Sequence, residues 1–355
     1  MGIIMRGDTD FNVERSTWVA AGAVVAIGAL FGVGFVGGTL FELAQPLMID
    51  AGWRARGLGL MVALGVASGS GLAGWRFNLL RAQAQLSWAF RGCAVGAAMG
   101  LMVATTSWSM VLAVAGVAGF SLGWMAVVVL ALLRPTVGTV GLGGILGLGV
   151  GLAGGIDWIF AELAVSARSE TIITAFLVAT ASLAAPFLQP QEPSVSPESE
   201  YRAAGALRWL IMLLGVVGLA AMEFHGASTA GALLGGCAAV ATGLALDRGW
   251  RVVLPVIGLA LVVLGRFWGG ATEAALAGGV VLALCYAARG GRSRSIATVS
   301  GVVGGLGFGL GSIWSGTGPP LPASLLAGTA VVIALFAAWD ELARRGAAAR
   351  VNAKA

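Results

Sequence analysis

The feature that most constrains this chain is a succession of apolar runs about 20 residues long, the length that crosses the hydrocarbon core of a bilayer as a helix. Only 10% of its 355 residues are charged, whereas soluble proteins carry about 25%. A soluble fold of this length would lack a polar surface, so lipid must be the main solvent. Backbone groups inside a bilayer must bond to one another, which favours helices. The sequence therefore predicts an all-α polytopic membrane protein.

We predict twelve transmembrane helices, near residues 17–40, 57–75, 88–106, 109–133, 137–160, 171–188, 206–224, 228–246, 251–268, 272–288, 296–314 and 322–340. The distribution of basic residues supports this count. With the N-terminus in the cytoplasm, only four of the 21 basic residues fall on the outer side: Arg54, Arg56, Arg168 and Arg266. The positive-inside rule then places both termini on the cytoplasmic side of the membrane. We expect this membrane to be a bacterial-type inner membrane. The same asymmetry explains the net charge of +5, so nucleic acid is not a predicted partner.

A polar linker divides the predicted helices six and six. Residues 189–200 contain three prolines and three glutamates, a composition typical of an extended, solvated segment. We therefore expect an N-terminal six-helix bundle (1–188), a cytoplasmic linker (189–204) and a C-terminal six-helix bundle (205–355). The fifth and eleventh predicted helices share an unusual density of glycine. Corresponding features in two halves indicate an internal duplication and two pseudo-symmetric bundles.

A short loop motif follows the eighth predicted helix, where Gly243, Asp247, Arg248 and Arg251 occur in close succession. A weaker version follows the second helix, where Gly71 and Arg76 have the same spacing as Gly243 and Arg248 but Trp75 occupies the aspartate position. An aspartate at a helix end can bond the N-terminus of a neighbouring helix, whose dipole favours an anion.

With this motif and the twelve-helix topology, the chain resembles the major facilitator superfamily of secondary transporters. The resemblance implies that the loop motif is a latch that breaks when the two halves rock apart. The alternative is a permanent structural clasp with arginines that reach to the interface. Glycine pairs four residues apart, such as Gly119 with Gly123 and Gly151 with Gly155, indicate either close structural packing or a moving interface between the halves.

Few ionisable residues lie near membrane depth, and they concentrate at the outer boundary, among them Glu42, Asp157 and Glu162. A second group consists of Glu223, His225, Arg266 and Glu273, which could converge at the outer mouth of the second half. As a substrate and coupling site, Glu223 would exchange a proton and Arg266 would hold an anionic group. Alternatively, all four are interfacial residues solvated by lipid headgroups. Trp124 and Trp314 lie deeper and either line a cavity or pack.

Motifs typical of enzymes and metal sites are absent from the sequence. It has one histidine, His225, and three cysteines, Cys93, Cys237 and Cys285, all within apolar runs and without ligand spacing. It contains no nucleotide-binding loop, HExxH pair or Gly-x-Ser-x-Gly elbow. We therefore expect no catalytic residues, no cofactor and no metal, and the protein is not predicted to be an enzyme.

Two functions remain. The first is a secondary transporter that moves a small apolar or weakly polar solute across the lipid bilayer by alternating access, because a cavity so poor in charge suits such a solute. The second is a non-transporting subunit or assembly factor of a larger membrane complex. The degenerate first loop motif and the interior poor in charge motivate this alternative, since a fold alone does not fix a function.

Overall fold

The computed structural model describes residues 15–48, 52–103, 107–138, 141–188, 229–248, 269–289, 293–305 and 309. Within these ranges the regular structure is helical. The first span, Arg15–Leu47, joins α1 (Arg15–Ala29), a π-helical segment (Leu30–Thr39), α2 (Leu40–Ala44) and a short 3-10 turn. The other helices are α3 (Gly52–Arg76), α4 (Ala82–Gly100), α5 (Trp108–Val137), α6 (Leu142–Glu162), α7 (Ala167–Ala181), α8 (Thr229–Asp247), α9 (Gly269–Arg289) and α10 (Ser293–Ala297), which continues as a second π-helical segment, Thr298–Val303.

These helices follow the order of the predicted spans one to six, eight, ten and eleven. The predicted helices at 206–224, 251–268 and 322–340 lie outside the described residues. Among the described helices, four are long and apolar enough to cross a membrane: Arg15–Leu47, Trp53–Arg76, Trp108–Val137 and Leu142–Glu162. Large apolar side chains on their outer surfaces, such as Leu64 and Leu152, are more than half exposed, as expected where lipid is the solvent.

The third span differs in position from its prediction. Helix α4 begins at Ala82, whereas hydropathy alone predicts a start near residue 88. Two glutamines make the first turns look polar, but both are used in packing. The Nε2 atom of Gln83 donates to the carbonyl of Leu188 at 3.1 Å, and that of Gln85 donates to the carbonyl of Arg76 at 3.0 Å. The helix therefore begins in a polar stretch because its glutamines bond to the last residue of α3 and to Leu188, which follows α7.

The fifth and sixth predicted helices also begin at different residues from those expected. Gly138 has a φ of +74°, a conformation that glycine adopts without strain, and it ends α5. Helix α6 therefore begins only at Leu142. Helix α7 begins at Ala167, before the predicted start at 171, because the side chain of Ser166 accepts a hydrogen bond from the backbone N–H of Ser169 and caps it.

The described helices before residue 189 are called the first half below, and those from residue 229 onward the second half. The core of the first half includes the place where the π-helical segment meets α4 and α5. Phe31 and Phe35 are fully buried, and their rings stack with centroids 5.5 Å apart. A β-carbon placed on Gly100 of α4 would lie 2.7 Å from the ring of Phe35, so this glycine makes room for the ring. The π-helical segment of the first span therefore contributes large side chains to the buried core.

The Gly119–Gly123 pair packs inside the first half. A β-carbon on Gly119 would lie 2.5 Å from the carbonyl oxygen of Val62, and one on Gly123 would meet the carbonyl of Val66. The hydroxyl of Ser70 donates to the carbonyl of Gly123 at 3.1 Å. This pair therefore joins α3 to α5 by backbone contact and is structural packing.

Candidate functional site

The two halves meet along a stripe of small residues where α6 packs against α8. A β-carbon on Gly147 would lie 2.6 Å from the carbonyl oxygen of Ala239, and one on Gly151 would lie 2.9 Å from that of Gly236. One on Gly243 would meet the carbonyl of Gly143. The pairing runs in opposite directions along the two helices, so they are antiparallel. Backbone touches backbone at these points, and the side chains of Val240 and Leu246 also lie against the α6 glycines.

Asp247 ends this contact with a cap on the N-terminus of α6. Its carboxylate accepts hydrogen bonds from the backbone N–H groups of Gly143 and Gly144, at 2.9 and 2.6 Å. These N–H groups have no partner within their own helix, and the residue in the capping position, Gly141, has no side chain to supply one. The second half therefore provides the cap that the first half lacks, and the helix dipole adds to the attraction.

Glycine leaves room for the carboxylate at both capped positions. A β-carbon on Gly143 would lie 2.8 Å from Oδ1 of Asp247, and one on Gly144 would lie 3.0 Å from Oδ2. A side chain on Gly143 would displace the carboxylate, and one on Gly144 would require the carboxylate to shift by a few tenths of an ångström. The geometry is the helix-terminus contact that the position of Asp247 in the sequence indicates, and it crosses from one half of the chain to the other.

A second contact between the halves joins α3 to α10 and to the π-helical segment that follows it. The hydroxyl of Ser293 donates to the carbonyl of Gly74 at 3.3 Å. Further along, a β-carbon on Gly301 would meet that of Ser70, and one on Gly305 would lie 2.7 Å from the carbonyl oxygen of Ala63. This contact is again antiparallel and again made of small residues.

Both contacts include the helix ends that carry Arg76 and Arg248, which the positive-inside rule assigns to the cytoplasm. Along α6 the close approach to α8 extends from Gly143 to Gly151. Beyond it, a β-carbon on Gly155 would have nothing within 4 Å among the described residues, and Ile159 is 45% exposed. The described contacts therefore join the halves from the helix ends that carry Arg76 and Arg248 to about the middle of α3 and α6.

The other residues of the loop motif have different surroundings. Arg248 is exposed, and Arg251 lies outside the described residues. At the equivalent end of α3, the guanidinium of Arg76 lies 5.8 Å from the ring centre of Trp75, a cation–π contact. A β-carbon on Gly71 would have nothing within 4 Å in the part of the chain that the structure describes. The described contacts of the first-half loop motif thus differ from those of Asp247.

The predicted solute residues are placed only in part. Trp124 is half-buried, packs against the hydrophobic core and lies 5.9 Å from the ring of Phe120, a position that fits the packing alternative. Glu273 belongs to the first turns of α9. Glu223, His225, Arg266 and Trp314 lie outside the described residues.

A polar cluster that no sequence pattern indicates lies in the first half. The hydroxyl of Thr39, in the first span, donates to Oε1 of Glu170 on α7 at 2.6 Å. Asp157 on α6 reaches the same place, since a β-carbon on Gly34 would lie 3.6 Å from its Oδ1 and 3.8 Å from Oε1 of Glu170. Glu170 carries no motif and sits in a polar stretch, so only the three-dimensional packing of three helices brings these groups together.

The comparisons with known proteins identify the architecture. No protein-family model matches the chain, and no curated protein matches it. Solved structures do. The human organic anion transporter MFSD10 (TETRAN) matches with a TM-score of 0.63 and 14% identity, covering 91% of this chain and 99% of its own. The E. coli fucose:proton symporter FucP matches with a TM-score of 0.60 and 13% identity, covering 91% and 98%. The nucleoside transporter NupG matches with a TM-score of 0.54 and 14% identity, covering 91% and 99%.

The described helices, their apolar surfaces and these likenesses together define a multi-pass α-helical membrane protein. Its fold is that of the major facilitator superfamily, as the sequence resemblance implies.

Proposed function

We propose that this protein is a secondary transporter that works by alternating access, with twelve helices in two six-helix halves (1–188 and 205–355) joined by the linker 189–204. In this proposal the protein lies in a bacterial-type inner membrane, with both termini on the cytoplasmic side. The observation that carries the proposal is the contact between the halves: two antiparallel small-residue interfaces with a polar clasp, Asp247 on Gly143 and Gly144. Interfaces built mainly of backbone and small residues expose little apolar side-chain surface when they separate.

The structure corresponds, in this proposal, to the outward-facing state. The described contacts between the halves include the cytoplasmic helix ends, whereas the outer part of α6 from Gly155 onward lacks such contacts among the described residues. A structure of the fucose:proton symporter in the outward conformation matches with a TM-score of 0.59 and 12% identity, covering 92% of this chain and 99% of its own. Opening to the cytoplasm requires α6 to leave α8, and Asp247 to release the N-terminus of α6.

The solute that we propose is small and apolar or weakly polar. The similar proteins are described as transporters of an organic anion, a sugar and a nucleoside, so the fold itself does not select a solute. The selection comes from this chain: with 10% charged residues, its interior offers few groups that could neutralise a strongly charged solute. Glu223, His225, Arg266, Glu273, Trp124 and Trp314 remain the candidates for contact with the solute.

A reversible cross-link tests the movement directly. A β-carbon on Gly309 would lie 3.1 Å from that of Ala63, a few tenths of an ångström below the usual separation of about 3.5–4.5 Å in a disulfide. We expect Ala63→Cys with Gly309→Cys, in a chain without the three native cysteines, to lose solute uptake into proteoliposomes on oxidation and to regain it on reduction. Each single-cysteine variant serves as the control.

The uptake panel should include aromatic, nucleoside-like and sugar-like solutes. Unchanged uptake by the fully cross-linked protein would contradict rocking of the halves. Uptake of no solute by the uncross-linked protein, together with stoichiometric co-purification with a larger membrane complex, would contradict transport and favour the role of a subunit.

A further inference from the structure

Two carboxylates from different helices border one small space beside the π-helical segment. Asp157 comes from the outer part of α6 and Glu170 from the first turn of α7, and both are half-buried. A methyl group on Gly34 would contact an oxygen of each, at 3.6 and 3.8 Å. The side chain of Leu30 closes the same space at 3.3 Å. These are ordinary van der Waals separations, so both carboxylates lie directly beside Gly34.

A buried hydroxyl group lies against Glu170. Thr39, which is only 2% exposed, lies 2.6 Å from Oε1 of Glu170 and 3.2 Å from the carbonyl oxygen of Gly34. Its single proton can serve one of these acceptors at a time. When Glu170 carries a proton, the carboxyl can donate to Thr39, and Thr39 can donate to Gly34. The contact is therefore satisfied in both protonation states.

A second, independent feature is a buried hydroxyl without a partner beside this place. Thr174 is fully buried, and its hydroxyl has no hydrogen-bond partner among the described residues. It lies four residues after Glu170, so the two side chains share one face of α7. Side chains on a helix tilt toward its N-terminus, so the Thr174 side chain is directed over the turn that carries Glu170. A buried hydroxyl without a partner is unfavourable, and because Oε1 of Glu170 already accepts from Thr39, a protonated Glu170 carboxyl can donate its proton to Thr174.

Neighbouring negative charges disfavour the ionised form of Glu170. The charged groups that act on Glu170 are the carboxylates of Asp157 and the exposed Glu42. On α7 itself Arg168 is exposed. On α4, Arg91 lies over the ring of Trp88, and the thiol of Cys93 contacts the sulfur of Met125. Two carboxylates that share a site are destabilised when both are ionised, and the low dielectric of the membrane strengthens the effect.

We propose that Asp157 and Glu170 form a proton-binding pair, and that its proton is the coupling ion of the transport proposed above, on which this second part rests. A proton neutralises one carboxylate and so removes the repulsion, and it needs no shell of ligands. A hydrated metal cation would need water at the place where the side chain of Leu30 forms an apolar wall. The unprotonated pair repels, which separates the outer ends of α6 and α7 from the first span. Proton binding draws these outer ends together and favours closure of the outer side.

Helix α6 links this pair to the contact between the halves. Asp157 lies near its outer end, and Gly143 and Gly144, which bind Asp247, lie at its other end. A movement of α6 as a rigid element therefore changes both places together. Closure around the protonated pair on the outer side accompanies release of the clasp on the cytoplasmic side.

The first experiment detects the proton on the purified protein and needs no solute. Infrared difference spectra over a pH titration report the C=O stretch of protonated carboxyl groups. We expect a band that grows as the pH is lowered, that is lost in Glu170→Gln and shifted in Asp157→Asn, and that is unchanged in Glu162→Gln. Glu162 is the matched control, because it is an exposed carboxylate at the end of the same α6.

Two results would overturn the proton site. One is a wild-type band that persists unchanged in Glu170→Gln. The other is a band that disappears when Na⁺ replaces choline at constant pH, which would show that a metal cation occupies the pair. Thr39→Val provides a further measurement on a protein without a change in charge: we expect the band to shift in frequency because its hydrogen bond is lost.

The second experiment tests the coupling. Proteoliposomes are loaded to give an inward proton gradient, and the ratio of solute accumulation with the gradient to that without it is measured. We expect a ratio well above one for the wild type and for Glu162→Gln, and a ratio of one for Glu170→Gln. A wild-type ratio of one with measurable transport overturns the coupling alone. Absence of any transport contradicts the proposed function, and the infrared result for the pair stands separately.

Discussion

Substitution of Asp247 by asparagine gives the sharpest test of the clasp between the halves. The carboxylate accepts two backbone N–H groups at the N-terminus of α6, from Gly143 and Gly144. An asparagine of the same shape offers one carbonyl oxygen and turns an NH₂ group toward the second N–H. The side chain also loses its negative charge, which the helix dipole favours. One hydrogen bond and one charge interaction are therefore lost, with almost no change in volume.

The magnitude follows from these two losses. A hydrogen bond to a charged group contributes about 1.5–3 kcal/mol, and a charge at a helix N-terminus contributes about 0.3–1 kcal/mol at an exposed site. Water can reach the helix end once the halves separate, which lowers the net cost of breaking the clasp. We therefore expect the closed cytoplasmic side to lose roughly 1.5–3 kcal/mol relative to the open one. With a tenfold change for about every 1.4 kcal/mol, the population ratio shifts by roughly 10- to 100-fold.

Distances between spin labels on the two halves measure this population. Leu80, which is 95% exposed and follows α3, and the exposed Arg294 of α10 lie on the side assigned to the cytoplasm, and labelled cysteines there report their separation. We expect Asp247→Asn to increase the fraction of long distances, and Glu162→Gln, which removes a carboxylate at the opposite end of α6, to leave the distribution unchanged. An Asp247→Asn distribution identical to that of the wild type, in a correctly folded protein, would show that the contact is a permanent structural clasp and not a latch.

Two further substitutions test the packing. Gly147→Leu should separate α6 from α8 and shift the same spin-label distances, because its β-carbon would lie 2.6 Å from a backbone carbonyl. Gly155→Leu is the control and should leave these distances unchanged, because no described atom would lie within 4 Å of its β-carbon. Equal effects of the two substitutions would refute the interface. Arg54→Ala should lower the thermal stability of the detergent-solubilised protein, by about 1–3 kcal/mol, because Arg54 donates to the carbonyl of Leu47 at 2.6 Å and stacks on two tryptophan rings. Arg168→Ala, an exposed arginine on the same side, is its control, and an equal loss there would refute the assigned role.

Hydropathy predicts the order of the described helices well, because the bilayer imposes one requirement on every span. It predicts their ends less well. Helix α4 begins at Ala82, about two turns before its predicted position, since hydropathy cannot show that Gln83 bonds to the carbonyl of Leu188. The π-helical segment Leu30–Thr39 has no signal in the apolar pattern, although it positions Thr39 against Glu170.

The role of Asp247 is more accessible from the sequence than the carboxyl pair, for a physical reason. A carboxylate at a helix end after a glycine has few partners to which it can bond, and a helix N-terminus is the foremost of these. Asp157 and Glu170 carry no such constraint. Their significance depends on which faces of α6 and α7 turn toward Gly34, and an apolar pattern that covers most faces of a helix does not specify those rotations.

The glycine pairs show why packing and movement cannot be separated by pattern alone. Gly119 and Gly151 each begin a pair with the same spacing, and each places a helix against a backbone carbonyl. The first contact joins two helices of one half, and the second joins the halves. The spacing does not show which helix supplies the carbonyl, and it does not show which polar group lies beside each pair. Beside Gly123 a neutral hydroxyl, Ser70, donates to a carbonyl of the same half, and a β-carbon on Gly301 of the second half would also meet Ser70. Beside Gly143 a charged carboxylate from the second half accepts hydrogen bonds from N–H groups at a helix end, which the proposed orientation places near the cytoplasm, where water can replace it when the contact opens. We therefore expect the α6–α8 contact to open, because its polar bonds join the two halves, whereas the bond of Ser70 to Gly123 stays within one half.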